Sequence, residues 1–97
     1  MAKGYWIAHV TVTAPEAYAA YQALAPEAFQ AHGARFVARG GHNQALEGRA
    51  TPQRTVVIEF PSYQQALDCY HSDAYRKARA ARQDAAEVDI VIVEGVS

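Results

Sequence analysis

The sequence predicts an α+β fold in which strands and helical regions follow the order βαββαβ. Four short stretches are rich in β-branched and aromatic residues, as strands usually are. Two longer regions between them begin with helix-start signals and space their apolar residues as a helix does. The chain has 97 residues, and this length predicts a single domain over residues 1–97.

The first strand is predicted at residues 4–12, GYWIAHVTV. A helix start follows, where Thr13 is placed to cap the helix and Glu16 lies three residues further on. The residues after it keep helical spacing: Tyr18, Tyr21, Leu24 and Ala28. Pro26 is expected to kink or break this helix, and Gly33 to end it.

The other three strands are predicted at residues 34–40, 54–60 and 88–95. Between the last two, Ser62 opens a capping box of the sequence SYQQ. Ser72 is placed to cap a further helical segment that reaches about residue 83.

This order of elements is that of the ferredoxin-like split βαβ fold. Its four-stranded antiparallel sheet has the strand order 4-1-3-2, and both helices lie on one face. Alternation along each strand then assigns side chains to the two faces. The helix face would carry Trp6, Ala8, Val10, Val12, Phe36, Ala38, Val56, Ile58 and Phe60. The open face would carry Tyr5, Ile7, His9, Thr11, Arg35, Val37, Arg39, Thr55, Val57 and Glu59.

The open face is half apolar, which is too hydrophobic for a surface that stays fully in water. Hydrophobic residues make up 51% of the chain, whereas a domain of this size buries only about 60–65% of the surface that its unfolded chain exposes. Both observations predict a second buried surface. The sequence is therefore expected to form a homodimer that packs sheet against sheet and leaves a polar cleft.

Charge and composition exclude several kinds of partner. The formal net charge is −1, so no strong field draws the chain to nucleic acid or to an anionic membrane. RNA recognition motifs share the element order but need aromatic side chains on the open face, where the third strand here has Thr55, Val57 and Glu59. The single cysteine, Cys69, suits a reducing compartment. With no signal-peptide stretch and no run of roughly 18 apolar residues, a soluble cytoplasmic protein is expected.

The stretch RGGHNQALEG follows the second strand. A phosphate-binding loop would need a helix directly after its glycines, and no helix start follows here. Gly40 and Gly41 instead predict a bulge or kink in one long bent strand, 34–48. Either this bend only curves the strand, or it aims Arg39 and His42 into the cleft.

The predicted face assignment places His9, Arg39 and Glu59 on one face of neighbouring strands. Histidine titrates near neutral pH and a nearby carboxylate can orient it, while arginine can hold a carboxylate or an enolate. These residues are therefore catalytic candidates that together could remove a proton from a small acid or phenol. The alternative is an ion-pair network that satisfies polar groups at a subunit interface.

No metal site is predicted. The histidines at positions 9, 32, 42 and 71 show no metal-ligand spacing, and Cys69 has no partner at CxxC spacing. No other cofactor is predicted either. Cys69 has apolar neighbours on its helix, which favours a packing role over a nucleophilic one.

Several segments, YWIAHVTVTAPEAY, ARFVARGG, VVIEFPS and IVIVEG, together with Tyr70-x-Ser72-x-x-Tyr75, resemble the domain-of-unknown-function family thirteen-thirty over nearly the whole chain. That family resembles a branch of the dimeric α/β-barrel superfamily, in which two ferredoxin-like chains pack sheet to sheet. Its relatives include cofactor-free quinone-forming monooxygenases, muconolactone isomerase and chlorite dismutase-like haem proteins. The positions that match the family pattern are Tyr18, Arg39, Gly40, Gly41, Glu59, Phe60, Tyr70, Tyr75 and Arg82.

The resemblance implies a homodimer with a small cleft in each chain. The residues expected to bind a ligand there are Tyr18, Gly41, His42, Tyr70, Tyr75 and Arg82. Two functions remain open at this point. One is a cofactor-independent enzyme acting on a small organic acid or phenol by proton transfer or oxygenation; the other is a non-catalytic ligand-binding or stress-related protein that uses the same cleft.

Overall fold

The structure is a computed structural model that describes residues 2–48 and 50–97. Its elements within these residues are β1 (Gly4–Val12), α1 (Pro15–Ala31), β2 (Arg35–Arg39), β3 (Arg54–Phe60), α2 (Tyr63–His71), α3 (Asp73–Ala81) and β4 (Ala86–Glu94). The strands form one antiparallel sheet in the order β2-β3-β1-β4. This is the predicted order 4-1-3-2 read from the opposite edge, so the ferredoxin-like fold is confirmed.

The hydrophobic core lies between the helices and one face of the sheet. Trp6, Ile58 and Phe60 are at most 2% exposed, which confirms the alternation predicted for β1 and β3. The Trp6 ring is packed against other aromatic rings at centroid distances of 5.0–5.8 Å: those of Phe29, Phe60, Tyr70 and Tyr75. Burial of each large apolar side chain contributes roughly 1.5–3 kcal/mol.

Helix α1 begins one residue later than the predicted cap. Thr13 was the expected cap, but Ala14 is the N-cap and makes no side-chain hydrogen bond. The backbone N–H groups of both residues donate instead to the carbonyl of Ala85, at 2.9 and 3.0 Å. Pro15 occupies the first turn, where a missing N–H removes no helical hydrogen bond.

Pro26 does not end α1, so of the two expectations, a kink or a break, the break is wrong. The helix continues to Ala31 because Ala28 and Phe29, in the turn after the proline, are buried in the core. Packing of an apolar face outweighs the local loss of one hydrogen bond. Gly33, at φ 71°, follows the end of the helix as predicted.

The two helices before β4 begin at the predicted caps. Ser62 accepts a hydrogen bond from the N–H of Gln65 at 3.1 Å, and Ser72 accepts one from the N–H of Tyr75 at 3.2 Å. Each bond satisfies a backbone donor that has no partner inside its helix.

Strand β2 differs from the prediction of one long strand, 34–48, bent at its two glycines. The strand ends at Arg39, and the bulge lies earlier, where the register against β3 shifts at Val37. Beyond the shift, Ala38 lies opposite an open-face residue and Arg39 lies opposite Val56 on the helix face. The predicted faces of Ala38 and Arg39 were therefore wrong, because a one-residue shift moves every later side chain to the other face.

All three helices lie on the core side, so no helix among the described residues covers the second sheet face. Its side chains include Tyr5, Ile7 and Val57, with Val91 and Val93, which are 61% and 44% exposed. The half-apolar character predicted for this open face is confirmed. No helix among the described residues is long and apolar enough to cross a membrane.

Candidate functional site

A cavity of about 70 Å³ lies between α1 and the helix face of the sheet. Its walls are largely apolar and include the rings of Trp6, Phe29 and Phe36. The polar side chains that line it are Tyr18, Tyr21, Gln22, Arg39, Arg54 and Arg82. Among the described residues, none of the lining side chains is a carboxylate or an imidazole.

Arg39 reaches this cavity because of the bulge in β2. The shift at Val37 turns Arg39 to the helix face, where its guanidinium carbon lies 4.1 Å from the centroid of the Phe36 ring. This cation–π contact holds the cation against the apolar wall, and such contacts contribute about 0.5–1 kcal/mol at exposed sites.

Arg54 reaches the cavity from the first position of β3. It pairs with Val10 of β1 and, by alternation, shares the helix face with Val56 and Ile58. Its Nε is buried and has no hydrogen-bond partner among residues 2–48 and 50–97. A buried donor without an acceptor is costly, at about 1–3 kcal/mol, so this arginine is poorly explained by the fold alone.

Arg82 and the tyrosines approach from the end of α3 and from α1. Arg82 Nη2 donates to Tyr75 Oη at 3.5 Å, and its guanidinium carbon lies 5.3 Å from the centroid of the Tyr21 ring. The hydroxyls of Tyr21 and Tyr75 are 2.9 Å apart and share a hydrogen bond. Burial raises the pKa of Tyr21 and of Tyr18 above 10, so both stay neutral at physiological pH.

The cavity therefore offers guanidinium cations and neutral hydroxyls around an apolar space. Arginine has donors only, and a tyrosine hydroxyl can donate as well as accept. An arrangement rich in donors and positive charge is complementary to an organic anion. The described lining holds no group that would take up a proton near neutral pH.

The three predicted catalytic residues do not come together. Glu59 lies on the open face, where Tyr5 Oη donates to it at 3.1 Å and Arg35 Nε at 3.4 Å. The Tyr5 hydrogen bond, followed by Arg35, lowers the pKa of the Glu59 carboxyl. The prediction that Arg39 shares a face with Glu59 was wrong, because the bulge sends Arg39 to the opposite face and leaves Arg35 across from Glu59.

His9 is on the open face, as predicted, but far along the strand from Glu59. Its Nδ1 lies 3.1 Å from Thr55 Oγ1, its cross-strand neighbour. Tyr5 is the residue of β1 that pairs with Glu59. The two positions are separated along β1 by roughly 13 Å, at about 3.3 Å per residue.

The predicted ligand-binding residues divide into three groups. Tyr18 and Arg82 line the cavity, and Tyr75 lies directly behind it in contact with Arg82. Tyr70 lines an adjacent groove with Arg79 and Arg82, and Arg79 donates a hydrogen bond to its hydroxyl. Gly41 and His42 are exposed after β2 and do not line the cavity.

Arg54 and Tyr21 line the cavity but are absent from the site residues predicted from the sequence. The signal for Arg54 was present, because the alternation that assigned Val56, Ile58 and Phe60 to the helix face also assigns position 54 to it. Tyr21 follows Tyr18 at the three-residue spacing of one helix face.

Cys69 is fully buried, and its Sγ lies 3.6 Å from the carbonyl oxygen of Ala28. Burial raises the pKa of its thiol to about 12, so the structure agrees with the predicted packing role. Within the part of the chain that the structure describes, no group of three or more His, Cys, Asp or Glu side chains is placed to hold a metal ion.

The fold of the chain is shared with the solved structures described below. The family described as "Domain of unknown function (DUF1330)" matches residues 3–96, and the chain belongs to this family. A comparison with curated proteins gives no match.

Three solved structures illustrate the likeness. A protein of unknown function from Rhodopseudomonas palustris is 22% identical, with a TM-score of 0.74 over 99% of this chain and 84% of that chain. A putative antibiotic biosynthesis monooxygenase from Nitrosomonas europaea is 18% identical, with a TM-score of 0.61 over 97% and 90%. SnoaB, a cofactor-independent oxygenase from Streptomyces nogalater, is 10% identical, with a TM-score of 0.61 over 100% and 96%. At these identities the likeness establishes the fold.

Proposed function

We propose that the protein binds a small organic acid or phenol, as its anion, in the cavity between α1 and the sheet. The observation that carries this proposal is the set of arginines, Arg39, Arg54 and Arg82, in a lining whose described residues include no carboxylate. A cation that is partly removed from water is costly unless it is paired. An anionic ligand would supply that pair through charge-assisted hydrogen bonds.

The size of the cavity limits the part of the ligand that it encloses. Its volume of about 70 Å³ is well below the roughly 150 Å³ of an apolar cavity that holds benzene. We therefore propose that the anionic group and the first few atoms enter the cavity. The remaining apolar part would lie at the mouth, against Phe36 and Arg39.

The proposal includes a homodimer in the cytoplasm. The open face, with Ile7, Val57, Val91 and Val93, is an apolar surface that a second copy would remove from water. The superfamily fold favours sheet-to-sheet pairing, and the single cysteine of the chain is consistent with a reducing compartment.

A second candidate function is cofactor-independent turnover of the same ligand. The likeness to a cofactor-independent oxygenase and to a putative monooxygenase favours it. In this form of the proposal, Arg39 and its neighbours would stabilise an enolate or phenolate. The substrate would have to enter already ionised, because no described lining residue is a carboxylate or an imidazole.

Binding is tested by comparing acids with neutral analogues of the same shape. Benzoate and phenylacetate should bind more tightly than benzamide and phenylacetamide in calorimetry, and the difference should shrink as salt increases. Arg82→Met should weaken acid binding by about tenfold to a hundredfold, the loss of one charge-assisted hydrogen bond. The matched control is Arg76→Met, because Arg76 is an exposed arginine on the same helix that pairs with Asp73 at 3.6 Å.

Equal affinity for acids and amides would contradict the proposal, as would equal losses in the Arg82 and Arg76 variants. Turnover is then tested on the acids and phenols that bind, by oxygen uptake and mass spectrometry without added metal or flavin. Protein-dependent oxygen uptake that Arg39→Met abolishes would favour the enzyme. Binding with an unchanged ligand would favour a non-catalytic protein.

A further inference from the structure

We infer that Gly40 leaves the space in which the Arg54 guanidinium lies, and so acts as a positioning residue for Arg54. In that position, Arg54 binds the anionic group of the ligand. The second half of this inference rests on the function proposed above. The first half concerns only a contact between the end of β2 and the start of β3, and it can be tested without a ligand.

The contact itself is close. A Cβ atom at position 40 would lie 3.2 Å from Nε, 3.3 Å from Nη2 and 3.4 Å from Cζ of Arg54. The guanidinium therefore stands against the bare backbone of Gly40. A methyl group there would displace it by a few tenths of an ångström, because these distances are shorter than ordinary van der Waals contacts.

The backbone of Gly40 is itself fixed to β3. Its N–H donates to the carbonyl of Thr55 at 3.0 Å, and its φ is 75°. Thr55 is the neighbour of Arg54 in sequence, so the hydrogen bond holds Gly40 beside the arginine side chain. A positive φ is also a conformation that glycine adopts at little cost.

Two other glycines of the same segment show that the contact is particular to position 40. Gly48 has a φ of 85°, but a Cβ there would meet no described atom within 4 Å. Gly41 has neither a positive φ nor a described neighbour within that distance. Only position 40 of these three combines a positive φ with contact to a side chain of the cavity.

A displacement of the Arg54 guanidinium matters because it changes the length of the hydrogen bonds that this group can make to a ligand. Its Nε is buried without an acceptor among the residues the structure describes, so packing, and no hydrogen bond at this atom, fixes its position. Hydrogen bonds to oxygen have donor–acceptor distances of about 2.7–3.2 Å. A shift of a few tenths of an ångström is therefore enough to weaken a bond to a ligand carboxylate.

The RGG sequence at the end of β2 then has two consecutive functions. The bulge at Val37 turns Arg39 towards the cavity, and the next residue, Gly40, leaves room for Arg54. The predicted bend at the glycines was misplaced, and so was the open-face cleft into which it was expected to aim Arg39 and His42. Arg39 instead lines the cavity on the helix face, and His42 does not line that cavity.

The ligand-free test is a double-mutant cycle measured by urea unfolding. Gly40→Ala should destabilise the wild-type protein more than it destabilises the Arg54→Ala variant, because the contact exists only when the arginine is present. The control Gly48→Ala introduces a similar positive-φ penalty and should be additive with Arg54→Ala. The Nε–H resonance of Arg54 in a nitrogen-labelled sample should move in Gly40→Ala and stay in place in Gly48→Ala.

The ligand test uses benzoate and phenylacetate with the same variants. Gly40→Ala should weaken the tighter of the two by about threefold to tenfold, the range of one weakened hydrogen bond, while Gly41→Ala and Gly48→Ala leave it unchanged. An additive cycle with an unmoved Arg54 resonance would overturn the positioning of Arg54. If neither acid binds the wild-type protein, the ligand role of Arg54 and the proposed function both fail, while the cycle still decides the contact.

Discussion

The two faces of the sheet use the same residue types in opposite ways. On the open face, Arg35 has a carboxylate partner in Glu59, which also accepts from Tyr5. On the helix face, Arg54 lies one strand away and its Nε has no partner among the described residues. A cation with its counter-charge is explained by the fold, whereas a partly buried cation without one indicates a ligand site.

The two faces also differ in what covers them. The helix face is covered by α1, with a cavity of about 70 Å³ beneath the helix. The open face has exposed valines, Val91 and Val93, beside its ion pair. We therefore propose that a ligand binds on the helix face and that a second copy of the chain packs on the open face.

The largest expected effect is on the open face. Val57→Asp should abolish the homodimer, because it places an unpaired charge in the centre of a desolvated contact. Light scattering coupled to size exclusion should give the mass of a monomer. Ala20→Asp, at an exposed position of α1, is the matched control and should remain a dimer; a wild-type monomer at micromolar concentration would contradict this assignment.

The helix face should determine how stability changes in alkali. Burial raises the folded pKa of Tyr21 above its unfolded value of about 10. The unfolded chain therefore loses this proton first, so the stabilisation is present below pH 10 and is lost as the pH rises above it. Urea midpoints measured between pH 8 and pH 11 (roughly the range where a tyrosine begins to ionise) should fall less steeply in Tyr21→Phe than in the wild type. Parallel curves would show that Tyr21 ionises as freely in the folded state.

Glu59 on the open face should have a smaller effect on how stability changes with pH, and this effect should occur at acidic pH. The hydrogen bond from Tyr5 lowers the folded pKa of Glu59 below its ordinary value of 4.5. Its stabilisation is therefore present above that pH and is lost as the pH falls through the folded pKa. Glu59→Gln should reduce the acid loss of the urea midpoint only slightly, since exposed ion pairs contribute little. A large change in Glu59→Gln would mean that the open face is more desolvated than the chain alone indicates.

Much of the fold could be predicted because local signals agreed with one another. Strands β1 and β3 have the predicted bounds, 4–12 and 54–60, since both combine regular alternation with β-branched residues. Ser62 and Ser72 cap the predicted helices because their side chains satisfy backbone donors.

The candidate site was less predictable, because one residue of register decides it. The bulge at Val37 carries no glycine or proline, and a bulge of this kind accepts ordinary residues. Nothing in the letters ARFVARGG therefore distinguishes a regular strand from a bulged one. Arg39 was therefore predicted on the wrong face. The expected group of His9, Arg39 and Glu59 is separated in the structure.

The most direct measurement compares two arginines on neighbouring strands that point to opposite faces. Arg54→Met and Arg35→Met remove the same charge, and calorimetry would compare their affinities for benzoate and phenylacetate at low salt, with thermal melts to show that both variants fold. We predict that Arg54→Met weakens binding by about tenfold to a hundredfold and that Arg35→Met leaves it unchanged. Equal losses in the two variants, or a loss confined to Arg35→Met, would contradict a ligand site on the helix face.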